Sequence, residues 1–228
     1  MSRGALIVIE GLDGSGKATQ AKLLAETLAA MGKPVRQITF PNYGSDSSAL
    51  VRMYLGGQFG QKADDVNAYA ASSFYAVDRY AGYKADWGQF YHDGGILIAD
   101  RYTTSNAVHQ CSKLPPRRWK NFIKWLYEYE FTKLGIPEPD GVIYLSVDVD
   151  VSQKLMSGRY NGDESKKDVH EKDLEYLARS RTAAAWCAER LGWNLVKCTE
   201  AGTMRGIQDI HQEVLTLALR ILGEEEES

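Results

Sequence analysis

A short apolar run at residues 5–9 is followed by Gly11-Leu12-Asp13-Gly14-Ser15-Gly16-Lys17. Residues 17–31 then carry Ala21, Leu24, Ala25 and Leu28 at helical spacing. A buried strand, a glycine-rich loop and a helix in that order make a place for phosphate. Glycines let successive backbone N–H groups turn inward around an anion. The helix N-terminus adds partial positive charge. Lys17 brings a full charge to the outer phosphates. Gly11, Leu12, Asp13, Gly14, Ser15, Gly16, Lys17, Ala18 and Thr19 are therefore the candidate ligands of a nucleoside triphosphate. The pattern is G-x-x-x-x-G-K, but Ala18 stands where Ser or Thr supplies the usual hydroxyl to magnesium. Thr19 is turned roughly 100° around the helix axis and replaces it only with a local shift. The plainer alternative, a glycine turn with no ligand, sits poorly with the flanking strand and helix.

The alternation continues along the chain. Residues 35–40, 96–99, 142–147 and 195–198 read as strands. Residues 45–90 carry two helical stretches, and 117–134, most of 151–190 and 206–222 read as helices. Such alternation predicts an α/β, three-layer fold, a parallel sheet with helices on both faces. No linker divides residues 1–223, so one domain is expected, followed by an acidic tail at 224–228. The 228 residues suffice for a core without staples. A net charge of -3 argues against a nucleic-acid binder that works by neutralising phosphates. No apolar stretch is long enough for a membrane span, and no signal peptide is read. Three scattered cysteines fit neither a zinc site nor a disulfide framework and favour a reducing, cytoplasmic setting.

Asp100-Arg101-Tyr102 follows the strand at 96–99 directly. Strand C-termini in a parallel sheet face the ligand crevice, so Asp100 and Arg101 are expected to project towards the phosphates. An arginine there clamps an acceptor phosphate. The aspartate holds metal-bound water or orients the arginine; a strand-capping ion pair is the alternative. The guanine-reading Asn-Lys-x-Asp of common GTPases is absent.

Four segments together carry a family resemblance: Glu10 to Lys17, Phe40-Pro41-Asn42-Tyr43-Gly44, Tyr75-Ala76-Val77-Asp78-Arg79, and Asp100-Arg101-Tyr102-Thr103-Thr104-Ser105-Asn106. In order and spacing this set resembles the thymidylate kinases, which are P-loop nucleoside monophosphate kinases. The resemblance implies transfer of the γ-phosphoryl of ATP to dTMP, giving dTDP and ADP, with Mg2+ as cofactor and a homodimer as assembly. It implies that Asp13, Lys17, Arg101 and a basic residue of a mobile lid are the catalytic set. The lid would be about 158–168, with Arg159, Lys166 and Lys167 as alternatives and Arg159 preferred. For dTMP it implies Asp13 at the 3'-hydroxyl, Arg101 on the acceptor phosphate, Tyr43 at that phosphate or its arginine, Ser105 among the dTMP contacts, and a base site of Tyr75, Arg79 and Asn106, Phe74 being the fallback aromatic. His109 stands where the family often has a tyrosine against the sugar 2' position. Asp13 and Asp100 are the candidate metal ligands. The adenine is expected near residues 199–205, and Tyr176 and Arg181 are expected to flank the site. Phe122, Trp125, Leu126 and Tyr129 form an aromatic face read as core or dimer interface. No general base is required, because the acceptor phosphate is already anionic. Two rivals remain: a kinase for another nucleoside monophosphate or a deoxynucleoside, and a non-catalytic nucleotide-binding regulator, for which Ala18 argues.

Overall fold

In a computed structural model of the protein, described for residues 3–148, 150–152, 155 and 173–224, one parallel sheet carries the phosphate loop. Its strands are β1 (Ala5–Gly11), β2 (Val35–Thr39), β3 (Ile96–Asp100), β4 (Gly141–Ser146) and β5 (Asn194–Lys197), in the spatial order β2-β3-β1-β4-β5. A short antiparallel pair follows, β6 (Thr199–Glu200) with β7 (Thr203–Met204). The helices are α1 (Lys17–Ala30), α2 (Ala49–Leu55), α3 (Ala68–Gly82), α4 (Gly88–His92), α5 (Thr103–Cys111), α6 (Trp119–Tyr127), α7 (Leu174–Arg190) and α8 (Ile207–Ile221).

Alternation along β1 builds the three layers, because successive side chains point to opposite faces. Leu6 and Val8 enter one core with Val108, Phe122, Leu126 and Ala184 from α5, α6 and α7. Ile7 and Ile9 enter the other with Leu24 and Leu28 of α1 and Ile210 and Val214 of α8. All four β1 residues are fully buried, each worth about 1.5–3 kcal/mol of transfer free energy. Register then places the chemistry. Ile9 lies opposite Asp100 on one side and Ile143 on the other. The phosphate loop and the Asp100–Arg101 step therefore leave the same sheet edge side by side.

The differences from the sequence reading are local. α5 is a helix of Thr-Thr-Ser-Asn-Ala-Val-His-Gln-Cys, in which all but Ala107 and Gln110 are weak helix formers; packing against α7 and α3 holds it. Residues 45–90 hold more than two helical stretches, because a π-type segment, Tyr83–Trp87, joins α3 to α4. The helix expected over 117–134 becomes α6 followed by a second π-type segment, Glu128–Lys133. Within its aromatic face, Phe122 and Leu126 are core, while Trp125 and Tyr129 stack at the half-buried surface with centroids 5.2 Å apart. The proposed lid at 158–168, with Arg159, Lys166 and Lys167, and tail residues 225–228 lie outside the described residues.

Candidate active site

The loop from β1 to α1 is shaped by close approach. A Cβ on Gly11 would stand 2.9 Å from the Leu145 carbonyl oxygen and 2.5 Å from Ser15 Oγ. Gly16 opens α1 at φ +85°, a conformation that L side chains avoid, and no side chain caps the helix. The first-turn N–H groups therefore remain for an anion. Lys17 is only 7% exposed and donates from Nζ to the Leu12 carbonyl at 2.8 Å. Burial, with the nearby Arg101 charge, pulls its pKa down to about 8, and the carboxylates of Asp13, Glu10 and Asp100 only partly offset this. Such a cation is short of negative partners, which phosphate would supply. Ser15 Oγ is buried without a partner among the described residues. Ala18 and Thr19 are exposed.

Arg101 sits beside this cradle in left-handed backbone, φ +67°, a conformation costing about 1–3 kcal/mol for a non-glycine residue. Its N–H reaches Ile9 O at 3.3 Å, across the strands. The guanidinium then lies over the loop, paired with Asp13 and 3.8 Å from Glu10, and donates to Ser105 Oγ at 3.3 Å. Burial works against the charge, but Asp13, Glu10 and Asp100 outweigh it and raise its pKa. Burial also raises the pKa of Asp100, against the pull of Lys17 and Arg101, and its buried Oδ1 has no partner among the described residues.

Glu10 was read only as part of a motif. It is 1% exposed and accepts from Gly11 N, Thr104 Oγ1 and Ser105 Oγ, at 2.9, 2.7 and 2.8 Å. An acid ending an apolar strand is the signal that marks it.

His109 joins the cluster as a neutral ring. Arg101 Nη1 lies 3.3 Å from Nε2, and arginine can only donate, so Nε2 accepts and the ring proton belongs on Nδ1. That proton points to Tyr176 Oη at 3.2 Å, while the Tyr176 hydroxyl donates to the His109 carbonyl. Burial and the Arg101 charge lower the His109 pKa to about 4. Tyr176 is fully buried and stacks on the ring with centroids 6.1 Å apart. Arg181 donates to Ser152 Oγ at 3.3 Å.

A second wall forms where α3 meets α5. Tyr75 and Phe74 are half-buried and pack against Tyr54, Val66 and Ala71. Tyr75 is close enough to Arg101 for its phenol to act on the guanidinium. Arg79 is 1% exposed, and its main partner is one that sequence reasoning missed, Glu130. Arg79 Nε and Nη2 donate to the two Glu130 oxygens at 2.7 and 2.5 Å, and Nη1 reaches Tyr102 O at 3.5 Å. Asn106, 2% exposed, donates from Nδ2 to Ser72 O at 3.1 Å and Glu130 Oε1 at 3.2 Å. Phe122, Leu126 and Glu130 occupy one face at steps of four; an acid at the third position of that stripe is the signal for a buried partner. Removing one member of such a buried pair costs about 3–5 kcal/mol.

Asp78, also missed, orders the loop bearing Tyr43. Its carboxylate accepts from Asn42 N at 2.8 Å and Ser47 Oγ at 2.5 Å. Tyr43 itself is exposed, and its carbonyl accepts from Arg52 at 3.2 Å. Glu200, Thr203, Met204, Arg205 and Asp209 line an open depression. Gln20 Nε2 binds Ile207 O at 3.0 Å and ties this region to α1.

Lys17, Asp13, Arg101, Ser105 and His109 are thus brought together, with Tyr75 beside them, and Arg79 and Asn106 are joined through Glu130. Comparison with known proteins gives the same direction. The family model described as Thymidylate kinase matches residues 9–214. A thymidylate kinase of Mycobacterium tuberculosis is 32% identical over 190 residues, covering 82% of this chain and 87% of that protein. The human thymidylate kinase is 30% identical over 146 residues, 64% of this chain and 62% of that protein. A solved thymidylate kinase of Candida albicans superposes with a TM-score of 0.70 at 21% identity, covering 99% of this chain and 96% of that one.

Proposed function

Because the chain belongs to the thymidylate kinase family, we propose that it moves the γ-phosphoryl of ATP onto the phosphate of dTMP, giving dTDP and ADP. The observation that carries this is that Lys17, the first residue of α1, and Arg101, just past β3, leave one sheet edge close enough for the Arg101 charge to pull the Lys17 pKa down. Two like charges so placed make a seam that two phosphate groups would stabilise.

On this reading the phosphate loop and Lys17 hold the outer ATP phosphates, and Arg101 takes the acceptor phosphate with help from Tyr43. Arg101 is paired with Asp13. When a phosphate takes the guanidinium, Asp13 is released towards the 3'-hydroxyl. Ser105 and His109 line the sugar, and Tyr75, Asn106 and Arg79 Nη1 meet the base. The depression beside Arg205 would take the adenine. The acceptor is already an anion, so no residue need remove a proton; positioning and charge do the work.

The orphaned buried Oδ1 of Asp100 fits a divalent cation. Magnesium typically takes one or two carboxylates and completes its shell with water and phosphate oxygens. Asp100 would hold it, with Asp13 as the second carboxylate in reach of the seam; bound there, the ion would neutralise phosphate charge. We extend the reading to Arg159, which lies outside the described residues, as the further cation of the catalytic set, and to a cytoplasmic setting. Among the described residues, no helix is long and apolar enough to cross a membrane.

A second copy of this chain is proposed to cover the outer face of α3, where Tyr69, Val77 and Tyr80 are 43%, 45% and 38% exposed. Tyr69 packs edge-on against Trp125 at 4.6 Å, so the apolar face continues onto α6. Val77→Arg should convert a dimer into a monomer in sedimentation; an unchanged mass would remove this interface.

The test of function is ADP release with a panel of nucleoside monophosphates. Turnover should depend on dTMP. A different preferred acceptor would support a kinase of other specificity. ATP binding with no acceptor-dependent turnover would leave only the regulator.

A further inference from the structure

Glu130 gathers four donors in a site with no exposure: Nε and Nη2 of Arg79, Oγ1 of Thr103 at 2.7 Å, and Nδ2 of Asn106. A carboxylate only accepts, so its partners have no choice of orientation. Both amide hydrogens of Asn106 meet acceptors, Glu130 Oε1 and Ser72 O. A flipped amide would set oxygen against oxygen on both sides. Oδ1 is therefore turned the other way. Arg79 is held through Nε and Nη2, and among the described residues its Nη1 donor has the 3.5 Å contact to Tyr102 O. Oδ1 of Asn106 and Nη1 of Arg79 are thus the acceptor and the donor that this wall keeps for a base.

A 4-oxo pyrimidine presents the complement, a donor at N3–H and an acceptor at O4. Cytosine presents the reverse at both positions. We infer that Glu130 is a positioning residue that makes this site select 4-oxo pyrimidine monophosphates over cytidine ones, by fixing the Asn106 amide and aiming Arg79. The inference rests on the reading of the α3–α5 wall as the base site. It is separate from any selection between thymine and uracil, whose N3 and O4 edges are alike.

Those edges supply the control. In the ADP-release assay, dTMP, dUMP and dCMP are compared for the wild type, Glu130→Gln and Glu130→Asp. Glutamine withdraws one of the two acceptors that hold the Asn106 amide, leaving Ser72 O alone against a flip, and it releases Arg79. E130Q should raise the KM for dTMP about tenfold or more, with kcat changed less than about threefold. It should lower the dTMP-to-dCMP ratio of kcat/KM by about a hundredfold, since matched hydrogen-bonding edges discriminate strongly. The dTMP-to-dUMP ratio and the KM for ATP should stay within about threefold. E130D keeps the charge that Arg79 needs in the core but withdraws it by one bond, about 1.5 Å. It should move the same quantities by roughly fivefold and provides the readout should E130Q not fold. A folded variant with wild-type KM and an unchanged dTMP-to-dCMP ratio overturns the inference, as does an equal loss on all three acceptors seen only in kcat. A wild type that prefers dCMP overturns the base-site reading itself; a wild type that prefers dTMP beside unchanged variants overturns only the role of Glu130.

Discussion

Arg101→Ala is expected to lower kcat about a thousandfold while changing ATP affinity by less than about threefold. The asymmetry follows from position. The loop and Lys17 hold the triphosphate without Arg101, whereas the acceptor phosphate has Arg101 as its main cation. Charge stabilisation at the transferring group is the largest contribution the protein makes to phosphoryl transfer. The loss should exceed that of one contact. Without the guanidinium, Asp13 and Glu10 face the incoming phosphate unneutralised, so the KM for dTMP should also rise. Arg101→Lys keeps a charge but not the fork that reaches Asp13, Ser105 and His109, and should recover only part of the rate. Steady-state kinetics with separate ATP titration checks this. Wild-type turnover in R101A would remove Arg101 from the reaction.

Lys17→Met should lower kcat about as far, and it should also remove a pH effect on ATP binding. In the ligand-free protein the Lys17 ammonium has a pKa of about 8. Phosphates at the cradle would favour the charged form and raise it. The sign follows: above pH 8 the free protein has lost the proton that the complex holds, so binding takes a proton up. ATP affinity should therefore fall as pH rises through 8, by at most about tenfold per unit. Calorimetry near pH 8.5 in buffers of different ionisation heat should show fractional proton uptake for the wild type and none of that contribution for K17M. Equal uptake in both proteins would place the titrating group elsewhere.

Strand C-termini and the phosphate loop were legible because their physics is local. An apolar run, glycines and a lysine fix both the turn and the charge, and parallel topology then forces Asp100 and Arg101 to the same edge. The partners of Arg79 and Asn106 were not legible in the same way. Their pairing with Glu130 joins residues 24 and 51 positions apart, and it depends on a π-type segment that no propensity announces. Asp78 was in view as a letter of a motif, yet its hold on the Asn42–Ser47 loop needs the folded α3. Helix α5 was missed for the converse reason: most of its residues form helices poorly on their own, and tertiary contact decides. Buried acids thus carry much of what the sequence left unread. Glu10, Asp78 and Glu130 are each 0–1% exposed, and each holds a neighbour that bears the chemistry.

A crystal structure with dTMP and a non-hydrolysable ATP analogue bound together is the most direct test. The dTMP phosphate should lie in hydrogen-bond contact with Arg101, facing the γ-phosphate on Lys17, with thymine against Tyr75. Finding Arg101 still paired with Asp13, and dTMP bound away from the crevice or not at all, would contradict the account.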